Sequence, residues 1–378
     1  MKKFVLPVLG ILMLSMLFFP GQSIAAASSA LALWWQVILP SLLPFFIMSE
    51  LLISLGVMRY MGKWMEPLMR PIFNLPGTAS LAVVMGFTSG FPTGAAITAG
   101  LRRQGAISCA EGNRLLAFTN NSSPLFIVAG LATGMLHSPQ AGILLAAVHY
   151  GTNLCTGIVL GIFSRRKSRQ TAAIPQHMEI SNLPLGALLK KSTQKALSNI
   201  TLIGCYLVFF SVIIQMLESL GFNNILSFGI EKVLMLLHLP TELADAFGNG
   251  LWEMTLGTAT AADSNAPFAL VAAACSAIMA WGGFSIQAQV AAMVSDTDLN
   301  IKTYILCSAV QACVAFNITR LLAKNIAVET LTNTNAVTAT SPITASIIFL
   351  CTSILLLLIL FLSALTGRRI KVFKRGRI

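Results

Sequence analysis

Phe118-Thr119-Asn120-Asn121-Ser122-Ser123-Pro124 interrupts an otherwise apolar stretch, about 113–136, with five consecutive polar side chains and a proline. Pro124 has no N–H, and its ring crowds the carbonyl four residues back, so no unbroken helix runs through it. At membrane depth, non-helical backbone is tolerated only where protein buries it or water lines it. The segment therefore reads as a discontinuous helix whose freed backbone groups and amides bind a solute or a coupling ion. The blander alternative is a polar contact between helices, with Ser and Asn bonding across the interface. Five polar groups exceed what one such contact needs.

The surrounding chain supports a membrane setting. Only 10% of the 378 residues are charged and 56% are hydrophobic, against about 25% charged in a soluble domain. Apolar runs long enough for a hydrocarbon layer of ~30 Å recur at about 4–20, 36–57, 113–136, 139–163, 197–217, 266–294, 303–323 and 344–365. The formal charge of +12 sits in short clusters between these runs, a pattern of cytoplasmic loops and not of a nucleic-acid-binding face. The start, Met1-Lys2-Lys3 followed by Val5–Phe19 and Ala25-Ala26-Ala27-Ser28, reads as a retained first helix with a small-residue linker, or as a cleaved signal peptide.

Two further apolar stretches, 76–101 and 241–263, carry breakers at their centres: Gly86-Phe-Thr-Ser-Gly90-Phe-Pro92-Thr-Gly94 and Gly248-Asn-Gly250-Leu-Trp-Glu253-Met-Thr-Leu-Gly257. Such sequence suits the tip of a hairpin that turns back. If both stretches turn back, eight spans result with both termini inside, and 22 of the 25 Lys and Arg fall on the cytoplasmic side. Crossing would instead move Arg102, Arg103 and Arg114 outside.

The same order of features occurs twice. Ser54-Leu55-Gly56 returns as Ser219-Leu220-Gly221, Leu75-Pro76 as Leu239-Pro240, and Gly86 as Gly250, while Asn120-Asn121 falls opposite Gly282-Gly283. Basic residues crowd the first copy, whereas residues 233 to 301 contain no Lys or Arg, so the two copies are expected to face opposite sides of the membrane. The expected organisation is all-α and polytopic. Residues 1–30 form a first transmembrane helix or signal-anchor, and 31–163 a first repeat with its hairpin and broken helix. A basic cytoplasmic linker follows at 164–196, then a second repeat at 197–324, an external loop at 325–342, and a last helix with a basic tail at 343–378.

The candidate binding residues lie at the breaks and the tips. Asn120, Asn121, Ser122 and Ser123 form the first break; Gly282, Gly283, Ser285 and Gln287 form its counterpart, where a close-packing Gly pair is the alternative. Thr88, Ser89, Gly90 and Thr93 present hydroxyls and N–H groups at half-helix ends, suited to an anionic group. Glu253 and Thr255 stand at the second tip. An intramembrane acid is costly and usually marks a proton or cation site, unless Glu253 opens onto an aqueous mouth. His149 and Asn153 share a helix face, to line a pathway or to bond between helices. Glu50 is expected to pair with a cytoplasmic Arg. The seven cysteines, without CxxC spacing, read as buried free thiols, and no metal, nucleotide or catalytic motif stands out. No cofactor and no enzymatic activity are expected; a coupling ion, H+ or Na+, fits a carrier, and homo-oligomer formation is left open.

The runs Thr88-Ser-Gly-Phe-Pro-Thr-Gly94, Arg114-Leu-Leu-Ala-Phe-Thr-Asn-Asn-Ser-Ser-Pro124 and Trp281-Gly-Gly-Phe-Ser-Ile-Gln287, with Trp34-Trp35 and Leu39-Pro40-Ser41-Leu-Leu-Pro44-Phe45-Phe46, resemble the sporulation integral membrane protein YlbJ family. That family belongs to the Gate (nucleoside-recognition-like) membrane proteins, distantly similar to concentrative nucleoside transporters. The nucleoside label is a fold-level analogy. The resemblance implies a multi-pass protein of the mother-cell or outer forespore membrane that moves dipicolinic acid, a planar aromatic dianion. Arginines near the first hairpin are expected to help neutralise it.

Overall fold

The computed structural model describes residues 2–55, 57–124, 126–164 and 184–323. The expected external loop at 325–342, the last span, the basic tail and most of the 164–196 linker lie outside them. Every described element is helical.

In the first half, α1 (Lys2–Phe18) and α2 (Pro20–Leu33) meet at a bend of 103°. Pro20 opens α2 and disfavours helical backbone at Phe19, whose φ of -122° ends α1. The stretch expected as a small-residue linker is thus helical, in keeping with its alanines. A π-helical turn at Trp34–Ile38 leads into α3 (Leu39–Ser54) and then α4 (Val57–Phe73). After a single 3-10 turn come α5 (Ser80–Ser89), α6 (Thr93–Arg103) and α7 (Cys109–Thr119), then a π-helical segment, Phe126–Met135, and α8 (Pro139–Ser164).

The second half begins with α9 (Leu185–Ser219), so the end of the expected linker is already helical. Then follow α10 (Phe222–Leu236), a 3-10 turn, α11 (Ala244–Trp252), α12 (Met254–Ala262), α13 (Phe268–Trp281), α14 (Gly283–Val294) and α15 (Ile301–Leu322). From α4 and from α10 onward the succession is the same: helix, 3-10 turn, two short helices, an interrupted helix, and a closing helix.

Among the described residues, four helical stretches are long and apolar enough to cross a membrane, or up to six if each bent pair is one span. The difference from the eight expected arises because 113–136 is divided into short segments, 36–57 is a π-helical turn followed by the 16-residue α3, 4–20 belongs to a bent pair, and 344–365 is not among the described residues. The stretches 76–101 and 241–263 each form two short helices packed on each other, α5 with α6 and α11 with α12.

α13 occupies the centre: Val271 through Ala280 are all buried, so no face of it meets lipid. Its alanines let α15 pack closely along it. Below the first hairpin, Leu75, Leu81, Leu101, Leu115 and Phe118 build an apolar core. α2 and α3 pack along α9, where Glu50 pairs with Lys195 of α9 at 2.7 Å. The expected arginine partner is a lysine because α9 supplies the basic face α3 leans on. The six described cysteines are free, but of these only Cys275 is buried as expected; Cys109, Cys307 and Cys313 are half-buried and Cys155 and Cys205 exposed.

Candidate functional site

The first hairpin tip and the first helix break are locked together. α7 ends at Thr119, and residues 120–123 are not helical. Asn120 Oδ1 accepts the N–H of Ala95 at 2.8 Å, so α6 receives its N-terminal cap from another helix. Asn120 Nδ2 donates to the Leu116 carbonyl. A Cβ added at Gly86 or Gly94 would overlap the Thr119 carbonyl, so the end of α7 sits between the two arms of the hairpin. At the tip, Gly90 takes φ +84°, and a Cβ there would stand 2.8 Å from Ser123 N. The exposed backbone of the break is satisfied from α8: His149 Nε2 accepts Ser122 N–H at 3.0 Å, and Tyr150 O–H donates to Ser122 O at 2.9 Å.

The second hairpin repeats the contact by other means. Glu253, alone between α11 and α12, is extended, and its Oε2 accepts Leu256 N–H at 2.7 Å, capping its own helix. Gly282 and Gly283 have φ of +79° and +77°, which divides α13 from α14. A Cβ on Gly283 would lie 2.8 Å from the Trp252 carbonyl and 3.0 Å from Glu253 Cα. Trp281 Nε1 donates to Leu251 O at 3.2 Å across the same junction. Break again meets tip.

Between the two junctions lies a cavity of about 510 Å³, within the range of small-molecule sites. It is lined by both tips and both interrupted helices, with Leu33, Ile203 and Leu207 of α2 and α9 closing it. Of the residues expected from sequence, Ser89, Gly90, Ser122, Ser123, Glu253, Thr255 and Ser285 face it. The others do not. Thr88 is exposed and bonds back to Val84. Asn120 is used as a cap, and Gly282 and Gly283 shape the backbone. Thr93, Asn121 and Gln287 are buried beside the cavity and not in its wall.

Sequence reasoning missed Gln289, Met254, Phe91 and Phe126, all in the wall. Gln289 was legible: it follows Ser285 by one helical turn, and its Nε2 reaches Ser285 Oγ at 3.5 Å. The aromatic and aliphatic lining had no signal, because apolar residues fill the whole chain.

Among the described residues, the cavity wall carries one ionisable carboxyl, Glu253, and no Lys or Arg. The arginines at the first hairpin are engaged elsewhere: Arg102 pairs with Asp298 at 2.7 Å and Arg103 with Asp296 at 2.8 Å, on the loop between α14 and α15. They stand at the base of α6, a full helix away from its tip, so the expectation that they neutralise a bound anion is corrected.

Membrane-crossing helices and short hairpins that abut interrupted helices define a polytopic integral membrane protein with a solute-sized internal cavity. The chain is 36% identical over 320 residues to sporulation integral membrane protein YlbJ of Bacillus subtilis (strain 168), covering 81% of this chain and 78% of that protein. It belongs to that family. Residues 35–174 also match the Gate family, described as nucleoside recognition. No solved structure matches the chain.

Proposed function

We propose that this chain is a carrier of a small organic acid in sporulation, with dipicolinic acid taken from the mother cell toward the forespore as its substrate. The observation that supports this most is the cavity placed where both tips and both breaks converge. Eight spans in two inverted repeats, with both termini in the cytoplasm, would let one half rock or slide against the other around that cavity. The relative's name supports a role in sporulation, and we read the membrane as that of the mother cell around the forespore.

The cavity suits the substrate in shape, with Phe91 and Phe126 beside Ser89, Ser122, Ser123, Thr255 and Ser285. Charge adds a condition. A dianion facing Glu253 without a basic residue in the wall requires accompanying protons or a cation. The substrate therefore crosses in neutralised form.

An endospore-former lacking its own copy, complemented by this chain, tests the assignment. Forespore dipicolinate is expected to be restored by the chain and lost in its absence. Wild-type accumulation in the deletion strain defeats the substrate assignment. A nucleoside carrier is the second reading, favoured by the Gate match over 35–174. Liposomes containing the purified protein, offered labelled uridine and dipicolinate side by side, separate the two.

A further inference from the structure

We propose that His149 is the site where a proton couples to movement of the first helix break, which makes H+ the coupling ion of the carrier. Only the transport arm of the test below rests on the function proposed above.

His149 is fully buried on α8. Its Nε2 accepts the Ser122 N–H, which places the neutral ring's proton on Nδ1, where it finds no partner among the described residues. A second proton and the Ser122 amide therefore compete for one lone pair. With the hydrogen bond made, the ring stays neutral and the break holds its shape. With Nε2 protonated, a buried backbone N–H loses its acceptor, and the break must rearrange to give that N–H another partner. Ser122 lines the cavity, and its hydroxyl reaches Met254 Sδ at 3.2 Å, next to Glu253 of the opposite tip. A change at His149 is thus passed to the cavity wall through a single residue.

The ring's titratable neighbours are few. α8 packs against α4, α7, the π-helical segment, α13 and α15. Arg70 of α4 pairs with Glu66 of its own helix and with Glu111 of α7, while Arg114 of α7 donates to the Asn74 carbonyl. α13 offers the Cys275 thiol, already donated to Thr258 O. α15 carries Tyr304, Cys307 and Cys313, with Lys302 and Arg320 near its two ends, and the π-helical segment carries no titratable residue. On α8 itself are Cys155 and Tyr150, whose ring stands edge-on to the imidazole at 5.6 Å.

The test labels a single cysteine, Ser123→Cys, with a maleimide in a purified chain whose native cysteines are replaced by alanine. Each rate is divided by that of the same protein carrying His149→Gln, which keeps an acceptor for Ser122 but does not titrate; the ratio cancels the thiol's own pH dependence. The ratio is expected to rise at least about threefold between about pH 7.5 and about pH 3.5. A flat ratio overturns the proposal. Should His149→Gln not fold, nitrogen-15 NMR of the wild-type chain decides instead. The His149 ring and the Ser122 amide are expected to shift with one midpoint, and a Ser122 signal that stays fixed through the same range overturns the coupling. In liposomes, protons are expected to move with dipicolinate through the wild-type chain, and this proton movement is lost in His149→Gln. If the wild-type chain carries no dipicolinate, the transport reading fails while the labelling still decides His149.

Discussion

The two hairpins share a plan and differ in who caps the second arm. In the first, the cap of α6 is a neutral amide reaching over from α7, so tip and break are held by a hydrogen bond between elements. In the second, the cap of α12 is a carboxylate carried by the tip itself. Displacing the first tip strips a buried N–H of its partner, whereas the second tip takes its cap along. The second tip keeps its cap when it moves and gives up the Trp281–Leu251 hydrogen bond, so the first junction is expected to be the more rigid of the two. The ionisable carboxyl of Glu253 lies at this second tip, in the cavity wall.

The strongest way to break this comparison is to force the first junction apart. Gly86→Val places a side chain on the Thr119 carbonyl, a backbone atom that cannot swing aside. The expected loss is about 3 kcal/mol or more, read as a collapse of the thermal transition in detergent. Gly100→Ala is the control in the same hairpin, since a Cβ there meets nothing within 4 Å. It is expected to stabilise α6 by about 0.5–1 kcal/mol. Similar outcomes for the two substitutions would mean that the arms are not clamped around α7.

A smaller effect separates the caps. Asn120→Ala removes the acceptor for Ala95 and the donor to Leu116 O, and is expected to lower stability by about 1–2 kcal/mol. Glu253→Gln keeps an oxygen for Leu256 and is expected to change stability by under about 0.5 kcal/mol. Its effect falls instead on the pH dependence of solute binding, because the titratable group is gone. If Glu253→Gln destabilises as much as Asn120→Ala, the second tip is not the self-sufficient one.

How far the sequence announced this arrangement varies with the kind of residue. Gly90, Pro124 and Gly282-Gly283 were legible because they forbid regular helix locally, whatever packs around them. The pairing of tips with breaks could not be read, since Asn120 meeting Ala95 or Gly283 meeting Glu253 is a matter of tertiary approach. Polarity in the segment 118–124 did not separate the roles of its residues: Asn120 serves the backbone, while Ser122 and Ser123 face the cavity. The arginines misled for a similar reason. Arg102 and Arg103 are near the tip in sequence, but α6 carries them to its far end, beside Asp296 and Asp298.

That far end sharpens the comparison with the gentlest perturbation. The first hairpin is tied at its base by two ion pairs to the loop before α15, and no such pair holds the second among the described residues. The hydrogen bond from Arg102 holds the Asp298 carboxyl below the ordinary carboxylate range, and the nearby positive charge adds to it. A carboxyl depressed in the folded state stabilises fully above its unfolded value and loses that contribution as pH falls through the lowered one. Asp298→Asn is thus expected to cost little, since exposed pairs are weakened by water and salt. Its difference in melting temperature from wild type should shrink with added salt. The same difference should begin to shrink as pH falls below the ordinary carboxylate value and be gone in stronger acid, once pH has passed the lowered one. A difference that grows in acid, or ignores salt, would show that the loop is held by its backbone contacts, such as Asn300 N–H to Asn113 Oδ1 at 2.7 Å, and not by charge.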